Sequence, residues 1–253
     1  MTAVNLAAAL ALSGHKTLLI DCDPQGSAAF YAGRYTSDGE KNLLSASLGQ
    51  KPLNSILCGS CLDYLKVISA PGERQIRAEE QLLKEKKDSL FRSLVSELKT
   101  GFDFILLDTS PDTSPFTIAS LCAADSVLIP LQCEYLAFNN LGQTVDTLKW
   151  VKKEFQPHLK LAGILLTMVA TNSSATRRIT AAANKHLNKA LFTSVIPRSD
   201  KFQETPGYRK PLVLQDHTSP EAASYMELAK ELIERERFFT AQHQPTTITG
   251  DES

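Results

Sequence analysis

The sequence has little net charge and no long apolar run. Its 253 residues include 27 basic and 28 acidic side chains, a formal charge of −1, so no overall field attracts the chain to nucleic acid or to a membrane. Such contacts would need a local patch. No apolar run approaches the roughly 20 residues that a membrane-spanning helix needs. With 43% apolar and 22% charged residues, we expect a soluble globular protein.

The spacings that mark metal sites, disulfide frameworks or secretion are also missing. The five cysteines are odd in number and irregularly spaced, and Cys58 and Cys61 form a single CxxC without a second pair, which disfavours a zinc site. The first residues have neither a basic region nor a cleavage site. We therefore expect a cytoplasmic protein. The C-terminal residues 246–253 are acidic and barely apolar, which disfavours binding to a membrane surface.

Short runs of Val, Ile and Leu alternate with helical patterns along the chain. The runs predict strands at residues 17–20, 65–68, 104–107, 126–131, 161–167 and 192–196. Strands this apolar suit a parallel sheet that is covered on both faces. We predict a three-layer α/β fold, a mostly parallel sheet with helices on both faces, and expect function at the carboxyl ends of the strands.

Helical patterns fill the stretches between these strands. They predict helices at residues 3–12, 78–99, 139–155, 174–189 and 219–239. The first is apolar on nearly every face and must therefore be buried. No repeat or linker divides the chain, so we expect one domain over residues 1–240 and a disordered, polar tail over 241–253.

Two of the predicted strands end in carboxylates. The strand at 17–20 runs into Asp21 and Asp23, which alternation places on one side, and the strand at 104–107 runs into Asp108. Asp, Pro and Gly are also common turn residues, so the first pair has an alternative interpretation as an acidic turn. An apolar strand that ends in Asp is, however, the Walker B pattern, which holds a magnesium ion beside nucleotide phosphates.

Five ordered blocks together resemble the ParA/Soj group of ParA/MinD-type ATPases, which segregate bacterial chromosomes and plasmids. The blocks are TAVNLAAALA (residues 2–11), LLIDCDPQGSA (18–28), FDFILLDTSP (102–111), GILLTM (163–168) and TSVIPRSDKFQETPGYRKPLV (193–213). Each block is weak alone, but their order and spacing make chance agreement improbable.

The resemblance implies ATP and Mg²⁺ as cofactors and a role for particular residues. Asp23 corresponds to the carboxylate that positions the attacking water, Asp108 to the Walker B ligand of Mg²⁺, and Asp21 to a neighbour in the same polar network. The positions that enclose the adenine in the family, largely through backbone groups, are Thr167, Met168, Pro197 and Arg198.

The resemblance also implies partners. Family members bind DNA non-specifically as ATP-bound homodimers, respond to a ParB-like partition factor and associate with the nucleoid; a membrane role is not expected. Lys201 aligns with one DNA-contacting Arg, whereas Asn172 departs from the other. Arg177 and Arg178, on the following helix, could supply a substitute patch together with Lys185 and Lys189, or could form an ordinary solvated face.

One element of the family pattern is absent from the 253 residues. Family members carry a strand and a KGGVGKTT phosphate-binding loop just before the block that begins at Thr2, a piece of about 15 to 20 residues. Either the true start lies upstream and the product is an ordinary ATPase, or this is a naturally shortened chain that binds a full-length relative or a partition factor without nucleotide.

In the family this strand is central and pairs with the strand that ends at Asp108. We therefore expect two unpaired strand edges and an apolar gap, together with weak or absent ATPase activity.

Overall fold

The computed structural model describes residues 1–33, 41–86, 89, 91–170, 173–202 and 208–241. Its strands are β1 (Thr17–Cys22), β2 (Cys58–Gly59), β3 (Leu65–Ile68), β4 (Phe104–Thr109), β5 (Ser126–Gln132) and β6 (Lys160–Thr167). The predicted tail and Asn172 lie outside the described residues, apart from Ala241, which ends the last helix. The mixed α/β class is confirmed.

Helices precede and follow these strands. They are α1 (Thr2–Leu12), α2 (Ser27–Tyr31), α3 (Leu43–Ser47), α4 (Leu53–Ile56), α5 (Glu73–Ala78), α6 (Glu80–Lys86), α7 (Arg92–Leu98), α8 (Pro115–Ala123), α9 (Tyr135–Glu154), α10 (Ser174–Leu187), α11 (Leu212–Gln215) and α12 (Pro220–Ala241). A short 3₁₀ turn, Asn188–Ala190, follows α10. None of the described helices is both long and apolar enough to cross a membrane.

The strands form two separate ladders. The first has the order β2-β3-β1-β4 and the second pairs β5 with β6. All of the pairings are parallel except that of β2 with β3. In the first ladder Asp21 lies in register with Asp108 on the neighbouring strand, so the two predicted acidic strand ends are adjacent.

A gap separates the two ladders. β4 pairs with β1 on one side and β5 pairs with β6, but among the described residues no strand pairs with the other edge of either. Between these two edges lies a cavity of about 970 Å³, which we call the slot; it is lined by residues of β4, β5, α1, α7, α8 and α12. The expected unpaired edges and apolar gap are therefore confirmed in the described part of the chain.

Helix α1 is buried as predicted. Residues 4–11 are each at most 5% exposed, and the helix packs against β1 and α12. Its alanine-rich surface allows close approach on several sides: Val4 and Ala7 belong to one apolar cluster, while Leu6 and Leu10 belong to another. A helix that is apolar all round is stable in water only when it is covered in this way.

Two element predictions were wrong in part. The helix predicted over residues 78–99 is divided: Glu79 separates α5 from α6, and Ser89 and Phe91 lie outside both α6 and α7. The strand predicted over residues 192–196 is not a regular strand, although Phe192 N–H and Ile196 N–H donate to carbonyls of β6. Between those two bonds the N–H groups of Thr193 and Ser194 donate to the Glu231 carboxylate instead, and this interrupts the ladder.

Candidate functional site

Asp21 is the most deeply buried carboxylate of the site. It is fully buried at the end of β1, where one oxygen accepts a hydrogen bond from Ala29 N–H at 2.9 Å and the other from Asp23 N–H at 3.2 Å. Burial raises the pKa of Asp21 to about 7, and the negative charge of Asp108 adds to the rise. Asp21 thus anchors the turn that carries Asp23. Direct contact of Asp21 with a cofactor stays a prediction.

Asp23 lies in the turn between β1 and α2. It is half-buried, and its carboxylate accepts a hydrogen bond from Gln25 N–H at 3.0 Å. Its carbonyl accepts from the N–H of Gly26, a residue whose φ of +66° strongly favours glycine. The segment Asp23-Pro24-Gln25-Gly26 therefore forms the turn that its composition predicts, and this turn holds Asp23 beside the strand ends.

Asp108 is brought close to the other two carboxylates by strand register. Burial is the main cause that raises its pKa; the charge of Asp23 raises it further, while the amino group of Met1 lowers it. The structure thus brings the three predicted acidic residues into one electrostatic cluster. A cation bound there would relieve the repulsion between the carboxylates.

This donor set fits Mg²⁺. Among the described residues there is no group of three or more His, Cys, Asp or Glu side chains that could hold a metal, so no cage made wholly of protein ligands is present in that part. Mg²⁺ is usually held by one or two carboxylates and completes its shell with water and phosphate oxygens. Asp108, with Asp23 nearby, would supply the one or two carboxylates of such a site.

The four predicted adenine-site residues come together at the end of β6. Val169 N–H donates to Ile196 carbonyl at 3.0 Å, and Arg198 N–H donates to Val169 carbonyl at 3.0 Å. These bonds place Thr167 and Met168 beside Pro197 and Arg198. Met168 has a φ of +55°, a conformation that costs free energy for a residue with a side chain and is concentrated at functional sites.

Sequence reasoning missed two features at this edge. Cys133 N–H donates to Thr167 carbonyl and so links the end of β5 to the predicted adenine site. Tyr135 and Leu136, at the start of α9, are 72% and 73% exposed. A backbone donor leaves no signal in the sequence, whereas an apolar pair at a strand end could have been noted as a candidate surface.

The predicted DNA-contacting residues have different surroundings. Arg177, Arg178 and Lys185 are exposed on α10, whose opposite face buries Ile179 and Ala183. Lys201, in contrast, forms a salt bridge with Asp216 at 2.6 Å. Its role toward DNA stays a prediction, and in this structure its charge is partly neutralised.

Comparisons with known proteins identify the family. A family model described as an AAA domain matches residues 1–161. The chromosome partitioning protein ParA of Myxococcus xanthus is 34% identical over 235 residues, which cover 93% of this chain and 83% of that protein. The sporulation initiation inhibitor protein Soj of Bacillus subtilis is 32% identical over 231 residues, 91% of each chain.

A solved structure shares the fold. Cobyrinic acid a,c-diamide synthase from Mycobacterium smegmatis, crystallised with an ATP analogue and magnesium, superposes with a TM-score of 0.77 at 25% identity, covering 93% of this chain and 89% of that one. The acidic strand ends, the fold and the extent of the sequence similarity lead to one assignment. The chain belongs to the ParA/Soj family of chromosome-partitioning ATPases.

Proposed function

We propose that this chain acts in DNA partitioning, with a nucleotide site at the carboxyl ends of β1, β4 and β6. The observation that carries the proposal is the electrostatic cluster of Asp21, Asp23 and Asp108 on adjacent strand ends. Relatives named as chromosome partitioning proteins support the biological role. The magnesium and ATP analogue in a structural relative support the choice of cofactors.

Each residue has a distinct task in this proposal. Asp108 holds Mg²⁺, which when bound neutralises charge on the phosphate oxygens. Asp23 would, in a site with a complete phosphate-binding loop, accept a hydrogen bond from the water that attacks the γ-phosphate. Asp21 keeps the Asp23 turn in place through its two backbone hydrogen bonds. The backbone around Thr167, Met168, Pro197 and Arg198 encloses the nucleobase.

The 253 residues do not fit the triphosphate itself. They contain no glycine-rich loop with a lysine to bind the β- and γ-phosphates. We therefore derive no hydrolytic step for these residues alone and propose that their affinity for Mg-ATP is lower by several kcal/mol than that of an intact site, since most phosphate donors are missing.

Isothermal titration of the chain with Mg-ATP tests this part of the proposal. We expect dissociation constants in the millimolar range, and micromolar binding would contradict the expectation. The weak binding should lose its Mg²⁺ dependence in Asp108→Ala. Asp103→Ala, an exposed carboxylate just before β4, is the matched control and should keep it. Equal Mg²⁺ dependence in both variants would show that Asp108 does not hold Mg²⁺.

We also propose that the exposed face of α10 binds DNA phosphates without reading bases. Arg177, Arg178 and Lys185 lie on that face, and the bound state would be a homodimer that responds to a ParB-like factor at the nucleoid. Since each neutralised phosphate contributes about −0.9 to the slope of log affinity against log salt, a double charge reversal should flatten that slope by about two.

The double variant Arg177→Glu/Arg178→Glu tests the DNA surface by fluorescence anisotropy with a labelled duplex at several salt concentrations. The control is Lys152→Glu/Lys153→Glu, which reverses two exposed charges at the end of α9. We expect weaker binding and a flatter slope in the first variant alone. Unchanged binding in the first variant, or equal losses in both, would remove α10 as the DNA surface.

A further inference from the structure

Lys201 is held by a carboxylate of the segment that leads into α12. Its Nζ donates a hydrogen bond to Asp216 Oδ2 at 2.6 Å. We propose that Asp216 withholds Lys201 from DNA phosphates, so that Lys201 adds to DNA affinity only when this ion pair opens. The inference rests on the DNA-binding role proposed above, and it gives Asp216 a task that this role does not require.

The backbone and a neighbouring hydroxyl fix Asp216 in place. Asp216 N–H donates to the Leu212 carbonyl at 3.2 Å, and the Asp216 carbonyl accepts from Ser219 N–H at 3.1 Å. Its Oδ1 accepts from Thr218 Oγ1 at 2.8 Å, which leaves Oδ2 to Lys201. The ammonium of Lys201 and the hydroxyl of Thr218 hold the pKa of Asp216 below its usual range. Asp216 is therefore ionised at neutral pH.

The segment that carries Lys201 is fixed as well. Lys201 N–H donates to Ser199 Oγ at 3.3 Å, and the Phe202 ring meets the Tyr225 ring of α12 edge-on, with 6.2 Å between the centroids. An ordinary surface ion pair contributes little because two mobile side chains must be ordered to form it. Here the carboxylate is already in place, so only the Lys201 side chain has to be ordered. The ion pair is correspondingly persistent.

A second carboxylate also draws on the charge of Lys201. Glu221, in the first turn of α12, is 8% exposed, and its Oε2 has no hydrogen-bond partner among the described residues. Burial alone would raise the pKa of Glu221, but a hydrogen bond with the Ser199 side chain and the charge of Lys201 lower it below its usual range. Lys201 thus serves two carboxylates. Moving its ammonium to a phosphate would leave both uncompensated, which opposes opening of the ion pair.

A DNA phosphate must compete with Asp216 for the same donors. The ammonium of lysine offers three N–H groups and a single charge, and Asp216 belongs to the same chain, so its effective concentration near Lys201 is high. The cations of α10 differ, because Arg177 and Arg178 extend from an exposed helix face. We therefore expect α10 to supply phosphate contacts in the unaltered chain, and Lys201 to supply one only after Asp216 releases it.

Removal of the Asp216 charge tests the proposal by fluorescence anisotropy with a labelled duplex. Asp216→Asn keeps the size of the side chain and an acceptor for Thr218. We expect about threefold to tenfold tighter binding near 0.1 M salt, and a slope of log affinity against log salt that is steeper by about 0.9, the value of one added phosphate contact. The control is Asp200→Asn, the same charge change at an exposed residue beside Lys201. It should leave the slope unchanged.

The Lys201→Gln background separates release of the lysine from a general effect of charge. Without an ammonium to release, Asp216→Asn should alter DNA binding no more than Asp200→Asn does. A gain in affinity that persists in this background would overturn the proposal. So would a slope that Asp216→Asn leaves unchanged in the chain that keeps Lys201.

Chemical labelling of lysines tests the ion pair without DNA. An acetylating reagent at limiting conversion is followed by peptide mass spectrometry, with Lys185 on the exposed face of α10 as the internal reference. We expect Lys201 to react about threefold faster or more in Asp216→Asn, because a nearby carboxylate stabilises the protonated, unreactive ammonium. Equal rates in the variant and the unaltered chain would overturn the proposal.

Failure of the DNA-binding role gives a different pattern from failure of this inference. If neither the unaltered chain nor Asp216→Asn binds the duplex at low salt, both are overturned. If binding is lost in Arg177→Glu/Arg178→Glu but is equal in Asp216→Asn and Asp200→Asn, the DNA-binding role stands and only the task of Asp216 is overturned.

Discussion

At the scale of single residues, Asp21 combines a buried carboxyl group with a positioning task. Its two oxygens accept hydrogen bonds from Ala29 N–H and Asp23 N–H. Asp21→Ala leaves both donors without that acceptor, and we expect the free energy of unfolding to fall by about 2 to 4 kcal/mol. Urea denaturation at neutral pH measures the loss.

Asp21→Asn is the matched variant for this prediction. An amide keeps one acceptor oxygen and removes the charge, so we expect it to lose less than half of what the alanine variant loses. An alanine variant as stable as the unaltered chain would show that the two backbone bonds do not hold the Asp23 turn.

The sequence predicted the proximity of the acidic residues better than their individual surroundings. Parallel strands end at one edge of a sheet, so the strand pattern places Asp21 and Asp108 at the same edge, and the pairing of β1 with β4 makes them neighbours. That Asp21 turns inward to bind the backbone at Ala29 could not be read from the sequence, because a backbone donor has no residue signature. The pairing of Lys201 with Asp216 is equally invisible, since it joins residues 15 positions apart across an irregular segment.

At the scale of elements, Glu231 fastens α12 to the segment that follows β6. Its carboxylate accepts hydrogen bonds from Thr193 N–H, Ser194 N–H and Ser194 Oγ, and pairs with Arg235. The strand predicted over residues 192–196 could not be corrected from sequence, because the competing acceptor lies about 37 residues away on another element. A local apolar pattern indicates only that a segment tends to form a strand. The Glu231 carboxylate, in contrast, reaches the N–H groups of this segment through the tertiary structure.

The lowered pKa of Glu231 also predicts that the folded chain loses part of its stability at acid pH. The hydrogen bonds from Thr193 and Ser194 hold the pKa of Glu231 below its usual range, although burial alone would raise it. A carboxyl group whose pKa is lower in the folded state than in the unfolded state stabilises the fold at any pH above its unfolded-state pKa, which is about 4.3 for Glu. This stabilisation is lost as the pH falls through the folded-state pKa.

Glu231→Gln tests this contribution by urea denaturation across pH. We expect the variant to be less stable than the unaltered chain at pH 7 by about 1 kcal/mol or more, and the difference to shrink below about pH 4. Glu227→Gln, an exposed site one turn earlier on α12, should show neither effect. A difference for Glu231→Gln that does not change with pH would assign the loss to packing.

Gly163 in β6 is a second point of contact between elements. A Cβ at this position would lie 2.6 Å from Phe192 Cε2 and 2.7 Å from an Arg235 guanidinium nitrogen, and that guanidinium is held over the Phe192 ring. We expect Gly163→Ala to destabilise the chain by about 1 to 3 kcal/mol, as overpacking does. Gly59→Ala, where a Cβ meets nothing within 4 Å, is the control. Equal midpoints of denaturation would contradict the steric account.

At the scale of the whole molecule, the slot divides what would otherwise be one sheet. The first ladder carries the acidic cluster, and the second carries the predicted adenine site. The division was expected from the sequence because the family pattern includes a central strand that these residues lack. The cavity volume of about 970 Å³ and the residues of its walls could not be predicted, since they depend on how α1, α8 and α12 pack.

The slot therefore sets the stability of the isolated chain. β4 is rich in apolar residues, yet every one of its six residues is only partly buried, so the free energy that a central strand normally gains from burial is incomplete. Two unpaired edges also invite association between molecules.

We expect a midpoint of thermal unfolding at or below about 45 °C, the lower end of the range for mesophilic domains, with aggregation that increases with concentration. Scanning calorimetry at several concentrations measures both. A single cooperative transition above about 65 °C would contradict the expectation, because it would show that the open edges cost the folded state little.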